Sequence, residues 1–305
     1  MRQESVRRWL ASPLPDPSKA VAHLLFDQAT GLRKLLNESH LCTIAVASAV
    51  SGAGRTTVTA NLAVAFAQKG HDVLVLDAAS GRHSAAWLLN AEPGADLLDG
   101  WQGGASVERL IAEGCAGVRV VCAEAALHAM PRATAQDASD LAQLFHTLHQ
   151  SAAVVLIDAP AGDLSLVAAA RETVVVAGPH LCAITDTYRL VKRLHGRGAR
   201  RIHVLVNRVV NKAHGEMIFG NLSFTSRRFL NLPLELIGQV PEDARLRRAA
   251  QMRQPVTEAF ADAMSARALR ECANALMLRS SPGDDGFAEF AHRLLASARS
   301  PGPSN

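Results

Sequence analysis

The run "ASAVSGAGRTTVTANLAVAFAQKGHDVLVLDA", residues 47–78, carries the pattern from which the rest of the chain can be read. An apolar segment leads into a glycine-rich turn, a helix-like stretch follows, and a second apolar segment ends on Asp77. A phosphate-cradling loop reads G-x-x-x-x-G-K-[ST]. Its backbone N–H groups hold the phosphates, its lysine reaches the outer ones and its hydroxyl meets magnesium. Gly52, Gly54, Thr56 and Thr57 fit that pattern, whereas Arg55 stands where the lysine belongs. The plainer alternative is a bare glycine turn. The strand ahead, the paired threonines behind and the acidic strand ends elsewhere favour a phosphate loop.

Outward from this run the alternation is regular. Strand-like segments occur at 42–48, 72–78, 118–124, 153–160, 173–178, 202–208 and 234–240, with helical stretches at 56–70, 137–151 and 185–198. Strands alternating with helices predict an α/β fold, a doubly wound and mostly parallel sheet. Ligands in such sheets lie beyond the carboxyl ends of the strands. The glycine loop, Asp77, Asp158 and Asn207 all follow strand ends and so converge on one site. A long helix over 256–278 is expected to close the domain.

Composition agrees. Hydrophobic residues make up 49% of the 305 but aromatics only 4%, which suits strands covered on both faces. A formal charge of +4 is a mild bias that permits an acidic partner without requiring one. Cys42, Cys115, Cys122, Cys182 and Cys272 show no CxxC spacing and read as reduced thiols of a cytosolic protein. With no apolar run of 18 residues, neither a signal peptide nor a membrane span is expected. The basic run Arg193, His195, Arg197, Arg200 and Arg201 reads as a solvated helix end, and His146 with His149 lacks a further metal ligand.

The segments GRTTVTANLAVAFAQKGHDVLVLDA (54–78), VVLIDAPAG (154–162), AITDTYRLVKRL (183–194), VLVNRV (204–209) and IGQVPEDARLRRAAQMRQPV (237–256) resemble, in order and spacing, the MinD/ParA family of deviant Walker ATPases. That resemblance implies a P-loop domain over 41–280, ATP or ADP with Mg²⁺ as cofactor, and a homodimer. It implies nucleotide contacts at Gly52, Gly54, Arg55, Thr56 and Thr57, adenine contacts at Asn207 and Arg208, and closure over the base by Pro241 to Asp243. Magnesium would fall to Thr56, Asp77 and Asp158. The family's loop reads K-G-G-x-G-K-[ST]-T, with a signature lysine that reaches the partner's phosphates. Here Val50 takes the signature position, Ser51 the next glycine and Arg55 the Walker lysine, while Ala79 replaces the water-positioning Asp of the D-x-D run. A trans-acting cation alone contributes roughly 10³–10⁵ in rate, so hydrolysis near background is expected. Nucleotide binding through backbone amides and the helix dipole stays open.

Both ends carry helices. Residues 1–17 are basic and then punctuated by Pro13, Pro15 and Pro17, and read as a flexible leader. Residues 18–39 are amphipathic and capped by Ser18. On the residues alone, packing on the domain and docking on a partner both stand. Within it, DQATGLR (27–33) resembles the D-Q-A-x-x-L-R segment of the FlhG branch, also called FleN or YlxH, whose members regulate flagellar number and placement. In that branch the segment docks on FlhF, a signal-recognition-type GTPase, and stimulates GTP hydrolysis. The resemblance therefore implies partner contacts at Asp27, Gln28, Leu32 and Arg33. It extends to flagellar switch or C-ring proteins as further partners, and to a cytoplasmic place at the cell pole or the inner membrane face. The retained alternatives are a partition ATPase gripping DNA and a pseudo-ATPase scaffold of another polar machine. Nucleic acid is not among the expected partners. After a linker, a helix over 287–299 lines up Phe287, Phe290, Leu294 and Leu295, similar in placement to the membrane-targeting helix of MinD-like proteins. Packing into the core is the equal alternative.

Overall fold

The computed structural model describes residues 41–79, 81, 83–149, 152–161, 163–199, 201–279 and 287–299. The leader at 1–17 and the segment at 18–39, with Asp27, Gln28, Leu32 and Arg33, lie outside the described residues. So do Arg200, the linker at 281–286 and the Phe287 side chain.

Among the described residues eight strands form one sheet in the order β3-β4-β2-β5-β1-β6-β7-β8. They are β1 Cys42–Ser48, β2 Val73–Asp77, β3 Ala112–Glu113, β4 Arg119–Cys122, β5 Val154–Asp158, β6 Glu172–Ala177, β7 Arg201–Val209 and β8 Glu235–Pro241. All pairs are parallel except β3 with β4. The principal helices are α1 Arg55–Ala67, α2 Ala85–Leu88, α3 Ala135–His149, α4 Ser165–Ala169, α5 Leu181–Gly196, α6 Lys212–Leu230, α7 Ala244–Gln251, α8 Met264–Arg279 and α9 Phe287–Arg299.

The apolar runs of the central strands follow from burial on both faces, since every residue of β1, β2, β5 and β6 is buried. Ile44 and Val46 of β1 enter one core with Leu62 and Phe66 of α1 and Leu269 of α8. Ala45 and Ala47 enter the other with Phe145 of α3, Leu194 of α5 and Phe290 of α9. Alternate side chains of one strand thus feed two cores. Cys42 and Cys272 are buried, and burial pushes the Cys272 thiol up to about 12, which keeps it protonated and inert.

The continuous helix expected over 256–278 is broken. A turn at Val256–Ala259 is followed by a fresh start at Met264. The restart is set from outside: the Asp243 carboxylate accepts hydrogen bonds from the Ser265 backbone N–H at 3.2 Å and from its hydroxyl at 2.8 Å. The two-residue strand β3 and the helix α6 are elements that the sequence reading does not identify.

For α9 an apolar face open to lipid and packing into the core stand as equal alternatives, and the side chains described point inward. Phe290 and Leu294 are fully buried and Leu295 nearly so, packed against α3 and α4. The Phe290 ring meets Phe145 edge-on with centroids 5.7 Å apart, and Arg293 Nε donates to the Ala169 carbonyl at 3.1 Å. Roughly 1.5–3 kcal/mol per large side chain favours this burial, and in this conformation these three residues present no face to a membrane. No helix among the described residues is long and apolar enough to cross one.

Candidate functional site

The loop between β1 and α1 turns at two left-handed glycines, Gly52 at φ 77° and Gly54 at φ 95°. Gly54 has a second constraint, because a Cβ there would collide with the side-chain amide of Asn207. Behind the loop, α1 is buried continuously from Val58 to Phe66, which fixes the start of the helix against the sheet. Its first turn carries no acidic residue, so the helix N-terminus keeps its preference for anions.

Sheet register places the acidic groups. Asp158 pairs with Val46 on β1 and with Asp77 on β2, so both carboxylates sit at the strand ends beside the loop. Arg55 Nε donates to Asp158 Oδ1 at 2.6 Å. Arg55 Nη2 donates to the Thr56 hydroxyl oxygen at 3.3 Å, and that hydroxyl donates to Asp158 Oδ2 at 2.7 Å. The Thr59 hydroxyl lies 3.4 Å from Asp158 Oδ1. The Asp158 side chain is fully buried and that of Arg55 is 14% exposed, so this is a desolvated ion pair closed by two hydroxyls.

Asp77 has other work. Its carboxylate accepts the backbone N–H of Ala79 at 3.1 Å and that of Ala86, in the first turn of α2, at 2.7 Å. Burial raises its pKa to about 6. The nearby Asp158 charge adds to the rise, and the bonds from Ala86, Ala79 and Ser84 oppose it.

Thr56 and Asp158 are the residues that would hold magnesium beside bound phosphates, and the donor set tests whether they fit. Both Asp158 oxygens and the Thr56 hydroxyl already face one guanidinium network. Asp77 is turned toward the backbone of α2. A magnesium ion demands near-octahedral oxygens at about 2.0–2.1 Å, and the permanently charged Arg55 lies where they would converge. The residues present do not fit the ion, and the sequence-based assignment of Thr56, Asp77 and Asp158 to magnesium is corrected accordingly.

Two of the expected base-contacting residues, Asn207 and Asp243, bond to the scaffold. Asn207 is buried at the end of β7 and donates Nδ2 to the Ala53 carbonyl at 2.8 Å, while its Oδ1 accepts the Arg208 N–H at 3.0 Å. Arg208 is exposed with a left-handed φ of 57°. Asp243 caps α7 through the Arg245 N–H at 2.8 Å. Slight burial pushes its carboxyl up, but the bonds from Ser265 and Arg245 outweigh that and hold it below the usual range. Of this group only Asn207 touches the loop. None of Asn207, Arg208, Pro241 and Asp243 is among the described residues lining the cleft.

That cleft, of about 630 Å³, is lined by Gly52, Gly54, Arg55, Thr56 and Thr57 together with Ser84, among others. Ser84 and its neighbour His83 are lining residues that sequence reasoning misses. Ser84 carried a readable signal, a capping serine ahead of an apolar stretch, and its hydroxyl oxygen accepts the Trp87 N–H. His83 carried none; it is exposed at φ 76° and lies edge-on to Trp87 at 4.8 Å. Chemically the described lining residues offer backbone amides, hydroxyls and the Arg55 guanidinium to an anion. With Ala79 at the position read as the water-positioning one, no carboxylate is placed there to aim water at it.

Residues 44–256 match the CobQ/CobB/MinD/ParA nucleotide binding domain family. The chain is 33% identical over 222 residues to the antiactivator FleN of Pseudomonas aeruginosa, covering 71% of this chain and 79% of that protein. It is 21% identical over 269 residues to the flagellum site-determining protein YlxH of Helicobacter pylori, covering 85% and 91%. In three dimensions it is similar to the MinD cell division protein of Aquifex aeolicus, with a TM-score of 0.62 at 24% identity, over 79% of this chain and 98% of that one. With an eight-stranded, mostly parallel sheet, a phosphate loop at its strand ends and a family match across that whole region, the chain belongs to the CobQ/CobB/MinD/ParA nucleotide-binding domain family.

Proposed function

We propose that this chain is an FlhG-like regulator of flagellar number and placement that acts by binding partners and hydrolyses ATP weakly or not at all. The similarity to FleN over 222 residues supports the regulatory role. The observation that carries the loss of hydrolysis is the buried Arg55–Asp158 pair at 2.6 Å. Phosphoryl transfer is catalysed by positioned cations and an oriented nucleophile. Here the loop's cation is turned toward a carboxylate, and Val50 and Ala79 supply neither charge nor base.

In this reading the output runs through the segment at 18–39. Gln28 and Asp27 act on an FlhF-type GTPase, and Leu32 and Arg33 dock it. The test adds purified full-length chain to such a GTPase and follows GTP turnover. Stimulation that Gln28→Ala abolishes is the expected result. Turnover unchanged by the full-length chain overturns the proposal.

A further inference from the structure

We propose that Arg55 replaces the divalent cation of this cleft, so that a nucleoside di- or triphosphate binds there as the metal-free anion. The inference rests on reading the cleft as a nucleotide site and concerns how that site is charged.

In the loop pattern, the lysine reaches outward to the phosphates and leaves the hydroxyl and the strand-end carboxylate for magnesium. Here the longer arginine bends back instead. One guanidinium bonds both ligand groups, Asp158 Oδ1 at 2.6 Å and the Thr56 hydroxyl at 3.3 Å. The same hydroxyl closes the ring on Asp158 Oδ2 at 2.7 Å. A divalent ion could reach those oxygens only by expelling a cation that cannot be deprotonated. The substitution therefore does two things at once: it withdraws charge from the outer phosphates and fills the ion's place.

Arg55 still lines the cleft beside Gly52, Gly54 and Thr57. A guanidinium presents five donors in a plane, so one edge can stay on Asp158 while others meet phosphate oxygens. Its charge pairs with Asp158, which leaves the left-handed loop and the acid-free first turn of α1 facing an anion, while the neighbouring buried Asp77 is held by backbone N–H groups. The site is therefore set for phosphates regardless of the metal in solution.

The test is calorimetric titration of the full-length chain with ATP and with ADP, in magnesium buffer and in EDTA. Metal-free binding predicts that magnesium tightens neither nucleotide by more than about threefold, and weakens binding to the extent that it holds the nucleotide in its own complex in solution. A greater tightening by magnesium overturns the proposal, and so does the absence of binding in both buffers. Arg55→Lys, its fold checked by thermal melting, should make binding magnesium-dependent by more than that factor. A lysine variant as indifferent to magnesium as the parent shows that Arg55 is not what excludes the ion. The GTPase assay is separate. A chain that stimulates the GTPase yet needs magnesium for ATP sinks only this inference, and one that binds metal-free ATP without stimulating sinks only the regulatory reading.

Discussion

Asn207 donates its side-chain amide to the Ala53 carbonyl at 2.8 Å, and so ties the end of β7 to the middle of the phosphate loop. The bond spans 154 positions of sequence and is buried. It brings the amide so near Gly54 that any side chain there is excluded.

Removing either partner should therefore loosen the loop. Asn207→Ala leaves a buried carbonyl without its donor, a loss of about 1–3 kcal/mol. Gly54→Ala adds a left-handed backbone to the clash and should destabilise at least as much. Urea unfolding midpoints decide it; variants within about 0.5 kcal/mol of the parent would mean that the loop is held by something else.

The Arg55–Asp158 pair makes a prediction about coupling. Arg55→Ala strands a buried carboxylate and should lose about 3–5 kcal/mol, and Asp158→Ala a comparable amount by stranding the guanidinium. The double variant should fall well short of the sum, since neither stranded charge remains. Strict additivity in denaturant melts would show that the two side chains do not meet in solution.

Asp77 gives a pH signature. Its pKa rises from 3.8 to about 6, chiefly through burial, so between these values the folded chain holds a proton that the unfolded chain has released. The stability contributed by this group is full below the lower value and is lost as pH rises through about 6. The swing should be on the order of 2–3 kcal/mol, at about 1.4 kcal/mol per pKa unit. Asp77→Asn should flatten it relative to the parent across pH 4 to 7. Parallel stability curves for the two proteins would be the contrary result.

The α9 helix is predicted to behave as core. Phe290→Ala should lose about 3–5 kcal/mol, and thermal melts should drop by about 2–4 °C for each. Flotation with anionic vesicles should be the same for the parent and for a polar substitution at Leu294. A vesicle defect in that variant with an unchanged melting temperature would restore the membrane reading.

Much of the sheet is legible because its central strands are runs of Val, Ile and Leu buried on both faces, a pattern that local sequence displays directly. What is hidden is held by distant partners. The two residues of β3 are too few to show any period. Gly215 and Gly220 obscure α6, yet the absence of a side chain at Gly215 leaves room for the Gln239 side chain on β8. The restart at α8 depends on Asp243, 22 positions upstream. The site divides in the same way. Arg55, Thr56 and Asp158 are visible as motif members, but the bond between Arg55 and Asp158 joins residues 103 apart, and the motif alone points the cation outward.

The burial of Phe290 against Phe145 also bears on how the protein is made. Because α9 packs on α3 and α4, a ribosome-bound chain that has not reached residue 287 lacks the ring that meets Phe145 edge-on and the apolar side chains beside it. Such a nascent chain would hold all its described strands with an apolar patch bare on α3 and α4, the kind of surface that chaperones recognise and that aggregates when translation stalls.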